Sequence, residues 1–414
     1  MRKAVFTALK HYRDSFLLAS LRHQGTPGML TTLAIGNYRS VLNLTVPLAP
    51  LNVVTGANGS GKSNLYRALR LLAATARDDV IAALAAEGGL ESTFWAGPET
   101  LTKGMRNGSV PVQGGPRQHS RRLRLGFNDE DYGYLIELGL PKPDVTTAFN
   151  LDPEIKRELI WAGSGYRPAT VLVDRGGPLV KTRSEGHWQV ISEHLNSFDS
   201  LFSQVADARS TPEVVTLRER IRGWRFYDHF RTDQDAPARQ VQLGTRTSVL
   251  HHDGRDLAAA LQTIREIGDA EALDSAIEDA FPGARLAIVP LNDGRLKIAF
   301  HQYGLLRPLT AAELSDGTLR YLLLIAALLT PRPPSLMVLN EPENSLHPDL
   351  LPALARLIAR ASRHGQVWVI SHASRLVAAL NQEPDCHGVE LEKELGETRI
   401  RGQGLLDTPP WNWP

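Results

Sequence analysis

Gly56-Ala57-Asn58-Gly59-Ser60-Gly61-Lys62-Ser63 is the stretch on which the reading of this chain turns. It fits the spacing G-x-x-x-x-G-K-[ST]. Residues 51–55 before it read as a strand, and Leu65, Leu69 and Leu72 after it recur at helical spacing. A glycine-rich turn between strand and helix lets several backbone N–H groups converge on phosphate oxygens, with the positive end of the helix dipole behind them. Lys62 supplies a mobile cation to the β- and γ-phosphates, and Ser63 offers a hydroxyl to Mg²⁺. Gly56, Asn58, Gly59, Ser60, Gly61, Lys62, Ser63 and Asn64 are therefore the candidate residues for holding a nucleoside triphosphate. The loop alone does not choose among kinases, GTPases, transporters and motors.

Upstream, residues 30–35 and 41–46 alternate as strands, and an Ala-rich helix is expected over 80–86. Residues 104–120 are rich in Gly, Pro and Gln without periodicity and read as a loop. Residues 123–127 and 134–140 form an expected hairpin whose turn, 128–133, is acidic. From 141 to 300 the pattern is mixed, with helices expected near 212–221, 256–267 and 270–280 and strands at 285–289 and 296–300. Strong signals return in the last hundred residues: helices over 316–329 and 348–360, buried strands at 335–339 and 367–370, and a closing pair at 389–391 and 398–401.

Three short segments carry the distal chemistry. Leu314-Ser315-Asp316-Gly317-Thr318 opens a helix. Ser335-Leu336-Met337-Val338-Leu339-Asn340-Glu341-Pro342 is an apolar strand ending in a polar pair, and Val367-Trp368-Val369-Ile370-Ser371-His372 is another ending in histidine. Their order resembles the ABC-ATPase class, and within it the RecF/SMC-like AAA ATPases that include the OLD-type ATPases. The resemblance rests on residues 37–40, 56–64, 314–318, 340–348 and 370–372. It covers 29–95 and 305–385 firmly and the middle only in outline.

The resemblance implies an α/β P-loop NTPase of ABC-ATPase type, with a mixed central sheet, flanking helices, an antiparallel β subdomain and an inserted α+β lobe. The expected division is a non-core extension at 1–28, the ATPase head at 29–140 and 305–414, and the lobe at 141–304. ATP and Mg²⁺ are the implied ligands. Glu341 takes the part of general base and His372 that of the switch histidine sensing the γ-phosphate. Ser315, Asp316 and Gly317 form the signature, which reaches the ATP of a second copy in a head-to-tail homodimer. Residues 343–346 form the loop that links the two sites. One residue departs from the family pattern: Asn340 stands where a magnesium-linked aspartate is usual. The amide keeps an oxygen but loses the charge, so weaker Mg²⁺ binding and slow turnover are expected. No glutamine occupies the neighbourhood of 93–97 where a Q-loop is sought, and Arg39 is expected to approach the nucleotide instead.

The remaining signals are weaker. Arg117, Arg121, Arg122 and Arg124 either contact nucleic-acid phosphates or form a solvated strand face, the latter favoured by the nearby acidic turn. Residues 224–229 and His251-His252-Asp253 hold metal-ligating types, but a metal cage needs convergence that spacing does not show. Trp411 and Trp413 either pack on the body or dock a partner.

Composition excludes several classes. Lys and Arg number 46 against 45 for Asp and Glu, so any basic footprint is local. The lone Cys386 forms no internal disulfide, which fits a reducing cytoplasm. No apolar run approaches the roughly 18 residues of a membrane span, and no heptads mark a long coiled coil. The distance from His372 to residue 414 leaves little room for a Toprim nuclease, so a nuclease or effector is expected in trans. Three readings remain: a dimeric ATP-driven switch in DNA maintenance or phage defence, a transporter's nucleotide-binding subunit, and an ATP sensor that does not hydrolyse. Leu-Ser-Asp-Gly-Thr in place of a transporter's LSGGQ favours the first.

Overall fold

The computed structural model describes residues 28–114, 120–184, 186–205, 207–228, 230–404 and 407–414. The expected extension 1–28 lies outside them except for Gly28, which is buried beside the Arg220 side chain. Arg117 and His229 also lie outside.

Among the described residues the first strands are β1 (Leu30–Tyr38), β2 (Val41–Pro47), β3 (Leu51–Gly56), β4 (Leu123–Asp129), β5 (Tyr132–Gly139) and β6 (Glu154–Ala162). Next come β7 (Val171–Gly176), β8 (Leu179–Ser184), β9 (His187–Ser192), β10 (Arg225–Tyr227), β11 (Gln242–Leu243) and β12 (Arg285–Pro290). The last are β13 (Arg295–His301), β14 (Leu309–Thr310), β15 (Leu336–Asn340), β16 (Gln366–Ile370), β17 (Cys386–Glu394) and β18 (Glu397–Ile400). Helices of seven residues or more are α1 (Lys62–Thr75), α2 (Val80–Ala86), α3 (Pro212–Arg222) and α4 (Leu257–Ile267). They continue with α5 (Ala270–Ala280), α6 (Asp316–Leu328), α7 (Leu351–Ser362) and α8 (Ser374–Leu380).

The central sheet runs β10-β15-β16-β3-β17-β18, parallel throughout except for the final antiparallel pair. Its middle strands are largely apolar because both faces are covered, with Asn52 and Gln366 buried among them. Val54, Val338, Trp368 and Ile370 share one core with Leu65, Leu69 and Leu72 of α1. Val53, Leu339, Val367 and Val369 share the opposite core with α6 and α7. The two-residue period of a strand thus sorts each segment between two helical layers.

An eight-stranded antiparallel sheet, β2-β1-β4-β5-β6-β7-β8-β9, packs against the same α1 core. Buried Gln366 joins the two sheets: its amide donates to the carbonyls of Leu30 and Ala49 and accepts from the Leu30 N–H. A small sheet, β11-β13-β12 with β14 on β13, sits with α4 and α5 over the α6 core.

Segment 141–304, expected as one lobe, contributes to all three sheets: β6 to β9, β10, and β11 to β13. β6 pairs with β5 over nearly its whole length, so the antiparallel sheet does not break at residue 140. The expected acidic turn 128–133 is shorter, because Asn128 pairs with Gly133 inside the sheet. Asp129 accepts the N–H groups of Asp131 and Tyr132, and Arg220 pairs with both aspartates. The helix expected from 348 opens as a 3-10 turn, Pro348–Leu350, before α7. Pro352 lacks the N–H that would bond back to Pro348 in an α-helix begun there.

Candidate nucleotide site

The parallel strands β10, β15, β16 and β3 end at one edge, Tyr227 level with Leu339, Asn340 with Ile370 and Ile370 with Val54. The carboxyl edge of such a sheet is where an α/β fold presents ligand-binding loops. Residues 56–61 leave β3 there and turn into α1. Gly56 and Gly61 lie at φ +142° and +112°. A Cβ on Gly56 would meet the Leu391 carbonyl oxygen at 2.4 Å, and one on Gly61 would meet Thr398 Oγ1 at 2.1 Å. Only glycine fits either place.

Thr398 braces the loop from behind. Its hydroxyl donates to the Ser60 carbonyl at 2.8 Å and shares a hydrogen bond with Ser40 Oγ at 2.6 Å. Asn64, expected among the nucleotide ligands, donates to Ser40 Oγ at 2.7 Å and so belongs to this brace. The Ser60 side chain is buried under the loop, while Asn58, Gly59 and Ser63 are exposed on it. Lys62 is 7% exposed and donates to the carbonyls of Gly56 (2.7 Å) and Ala57 (3.0 Å). Burial lowers its pKa, and the charge of Glu341 opposes that shift. The candidate base therefore lies within electrostatic reach of the candidate phosphate cation.

Glu341 follows Asn340 at the end of β15 with φ +49°, a left-handed conformation rare for a non-glycine residue. Its N–H is anchored on the Ile370 carbonyl at 2.8 Å, which turns the carboxylate out of the strand. One carboxylate oxygen accepts from Asn344 Nδ2 at 2.8 Å, and the other lies 3.5 Å from His372 Nε2. Glu341 and His372 are both about 40% accessible. Asn340 is half-buried beside them. Glu343 locks the same loop to β16, accepting from Ser371 Oγ (2.7 Å) and the N–H groups of His372 (2.8 Å) and Ala373 (3.1 Å).

Ser315 caps α6, its hydroxyl accepting the Thr318 N–H at 3.2 Å. Asp316 pairs with Arg239 at 2.7 Å. Among the described residues neither is shown hydrogen-bonding to loop 56–63. Gly317 touches the Glu341 loop: a Cβ there would lie 2.9 Å from the Ser345 carbonyl oxygen.

Two arginines that sequence reasoning passed over hold this arrangement. Arg239, 8% exposed, donates to the carbonyls of Thr232, Ala311 and Leu314 as well as to Asp316. Nothing in the sequence near 239 marks it, since its partners on the α6 side lie more than seventy residues away. Arg320 is 2% exposed inside the apolar run of α6 and donates to the Glu341 carbonyl at 3.2 Å. A charge inside an apolar helix was the available signal.

Other candidates fall elsewhere. Arg39 pairs with Glu87 at 2.7 Å and bonds to Tyr38, not to loop 56–63. Arg124 pairs with Glu137 at 2.8 Å, and Arg121 lies over the Phe94 ring. Both line a groove of about 1060 Å³ that shares no residue with loop 56–64. His251, His252 and Asp253 bring ligand atoms within 4.8 Å of one another. Asp253 and Arg255 engage the two ring nitrogens of His251, which marks a hydrogen-bonded turn better than a metal cage. Asp228 follows β10, one strand over from Asn340. Burial pushes its carboxyl up to about 6, and one of its oxygens accepts from Arg70 at 2.7 Å. No helix of the described residues is long and apolar enough to cross a membrane.

Residues 51–378 match the family model described as "AAA domain, putative AbiEii toxin, Type IV TA system". No curated protein matches the chain. Among solved structures, an SMC head bound to the C-terminal winged-helix domain of ScpA superposes with TM-score 0.50 at 12% identity, covering 92% of this chain and 99% of that one. The SMC head of Thermotoga maritima gives 0.42 at 15% identity over 91% and 100% of the two chains. A Pyrococcus furiosus SMC head bound to the C-terminal domain of ScpA gives 0.45 at 12% over 90% and 95%.

Proposed function

Because this chain belongs to the AbiEii-type AAA-domain family, ATP-binding ATPases of ABC type, we propose that it dimerises head to tail on ATP and hydrolyses it slowly. The observation that carries the proposal is the placement of loop 56–63, Glu341 and His372 at one sheet edge, with Lys62 in the field of Glu341, and with His372 3.5 Å from the Glu341 carboxylate. A triphosphate on loop 56–63 would draw the Lys62 ammonium from the Gly56 and Ala57 carbonyls to its own oxygens. The Glu341 carboxylate, oriented by Asn344, would accept a proton from the attacking water. His372, close to that carboxylate and tethered through its backbone to Glu343, would meet the γ-phosphate. The signature Ser315, Asp316 and Gly317 would complete the site of the second copy, the N-terminus of a thirteen-residue helix facing an anion.

Ser63 and Asn340 fit a cation that arrives with the nucleotide. They are a neutral hydroxyl and a neutral amide at the same sheet edge, a donor set that leaves the charge to the phosphates. Mg²⁺ there would neutralise developing phosphate charge. The toxin–antitoxin description of the family supports a role in defence against foreign DNA, with DNA or an effector in trans as partner. Asn340 favours a second reading, an ATP sensor that binds without turnover.

The deciding measurement is ATP-dependent dimerisation by analytical ultracentrifugation beside phosphate release, for wild type and Glu341→Gln. We expect slow release from the wild type, and from the variant an ATP-trapped dimer with release reduced about a hundredfold or more. A wild type that dimerises yet releases no phosphate establishes the sensor. A protein that stays monomeric with ATP overturns the dimer.

A further inference from the structure

Arg320 joins two parts of the molecule that the proposed function assigns to different nucleotides. It lies three residues after Gly317 on α6, on the same helix face and one turn in from the signature. Its side chain is buried at 2% exposure, and its guanidinium donates to the Glu341 carbonyl at 3.2 Å. Burial lowers its pKa, while the charges of Glu343 and Glu341 act in the opposite sense, so it sits in the field of both carboxylates.

The contact it makes is stiff. Glu341 and Ser345 both hold left-handed backbone, at φ +49° and +64°. Such residues persist only where their surroundings over-determine them. Gly317 approaches the Ser345 carbonyl so closely that no side chain fits between them. On the outer side, Arg239 clamps Ala311, Leu314 and Asp316. The Ser315 tip and the loop that carries Glu341 are thus joined by two contacts, Arg320 on the Glu341 carbonyl and Gly317 on the Ser345 carbonyl.

We propose that Arg320 is a positioning residue that couples the two ATP sites of the dimer, reporting contact of the Ser315 tip with the partner's nucleotide to Glu341 of its own chain. The assignment rests on the head-to-tail reading. Arginine suits this role because its guanidinium donates to the Glu341 carbonyl while its fixed charge sits in the field of the Glu341 and Glu343 carboxylates, which a neutral group would not do. Engagement of one site then aligns the base at the other, so hydrolysis rises with the second ATP bound and the rate curve against ATP is sigmoidal.

The test compares wild type, Arg320→Gln and Arg320→Lys in phosphate release across an ATP titration. ATP-dependent dimerisation and melting temperature are measured alongside. Arg320→Gln is expected to lower kcat about tenfold or more and turn the sigmoid into a hyperbola while the ATP-bound dimer still forms. Arg320→Lys is expected to recover part of both. An Arg320→Gln enzyme with wild-type kcat and curvature overturns the assignment. So does one whose dimerisation, melting temperature and kcat fall together, since that marks packing alone. A wild type that neither dimerises nor hydrolyses removes the nucleotide reading and this coupling with it, a result distinguishable from failure of Arg320 alone.

Discussion

Asn340 and Glu341 place a neutral amide and a carboxylate side by side at the end of β15. Glu341 is turned outward by a left-handed backbone that costs about 1–3 kcal/mol in isolation, offset here by its anchor on Ile370 and the Arg320 contact. Asn340 stays at the last position of the strand, level with Ile370. A carboxylate at this position would add a full negative charge to the proposed cation's donor set without changing the side chain's shape. Asn340→Asp is therefore expected to lower the Mg²⁺ concentration for half-maximal phosphate release several-fold, about 1 kcal/mol of binding, and to raise the rate. Titration of Mg²⁺ at saturating ATP checks this, and an unchanged midpoint together with an unchanged rate refutes it.

Where β18, the β1–β2 turn and α1 meet, one hydroxyl organises three elements. Thr398 holds the Ser60 carbonyl and Ser40, and Ser40 holds Asn64. The loop can press against β18 only because Gly61 has no side chain. Gly61→Ala places a methyl 2.1 Å from Thr398 Oγ1 at φ +112°, so either the loop or β18 must move. The expected cost is about 2–4 kcal/mol of stability with loss of measurable ATP binding, read by urea unfolding and a fluorescent-nucleotide titration. Gly59→Ala is the control. A Cβ there meets nothing within 4 Å, so only the left-handed backbone at φ +79° penalises it, by about 1 kcal/mol. Equal losses for the two would refute the brace.

Across the whole molecule, the antiparallel sheet leaves an apolar outer face that the last residues cover. Trp411 packs on Trp161 and over Gly126, where a Cβ would clash with its ring at 2.6 Å. Trp413 meets Trp411 edge to face and donates to Asn43 Oδ1 at 3.1 Å. Leu135, Leu159 and Val171 complete this small core. Deleting residues 409–414 is expected to reduce unfolding free energy by about 2–4 kcal/mol, from the apolar area uncovered. Chemical denaturation measures it; a loss under about 0.5 kcal/mol would mean that the tail lies on the sheet without stabilising it.

Much of the architecture was legible because its signals are local. Loop 56–63 carries its glycines, lysine and serine within eight positions, and segments 335–339 and 367–370 are largely apolar runs. The helix after that loop shows its period in Leu65, Leu69 and Leu72, and the segments holding Ser315, Glu341 and His372 are marked by the polar residues that open or end them. Those interactions fall within a turn or two, where backbone sterics and side-chain spacing act on neighbours. The antiparallel sheet running past residue 140, the Thr398 brace, the Arg239 clamp and the Arg320 bridge were not legible. Each joins residues far apart in the chain or depends on where a side chain points. Hydrogen bonds and burial act through space, and only folding brings those partners within their range.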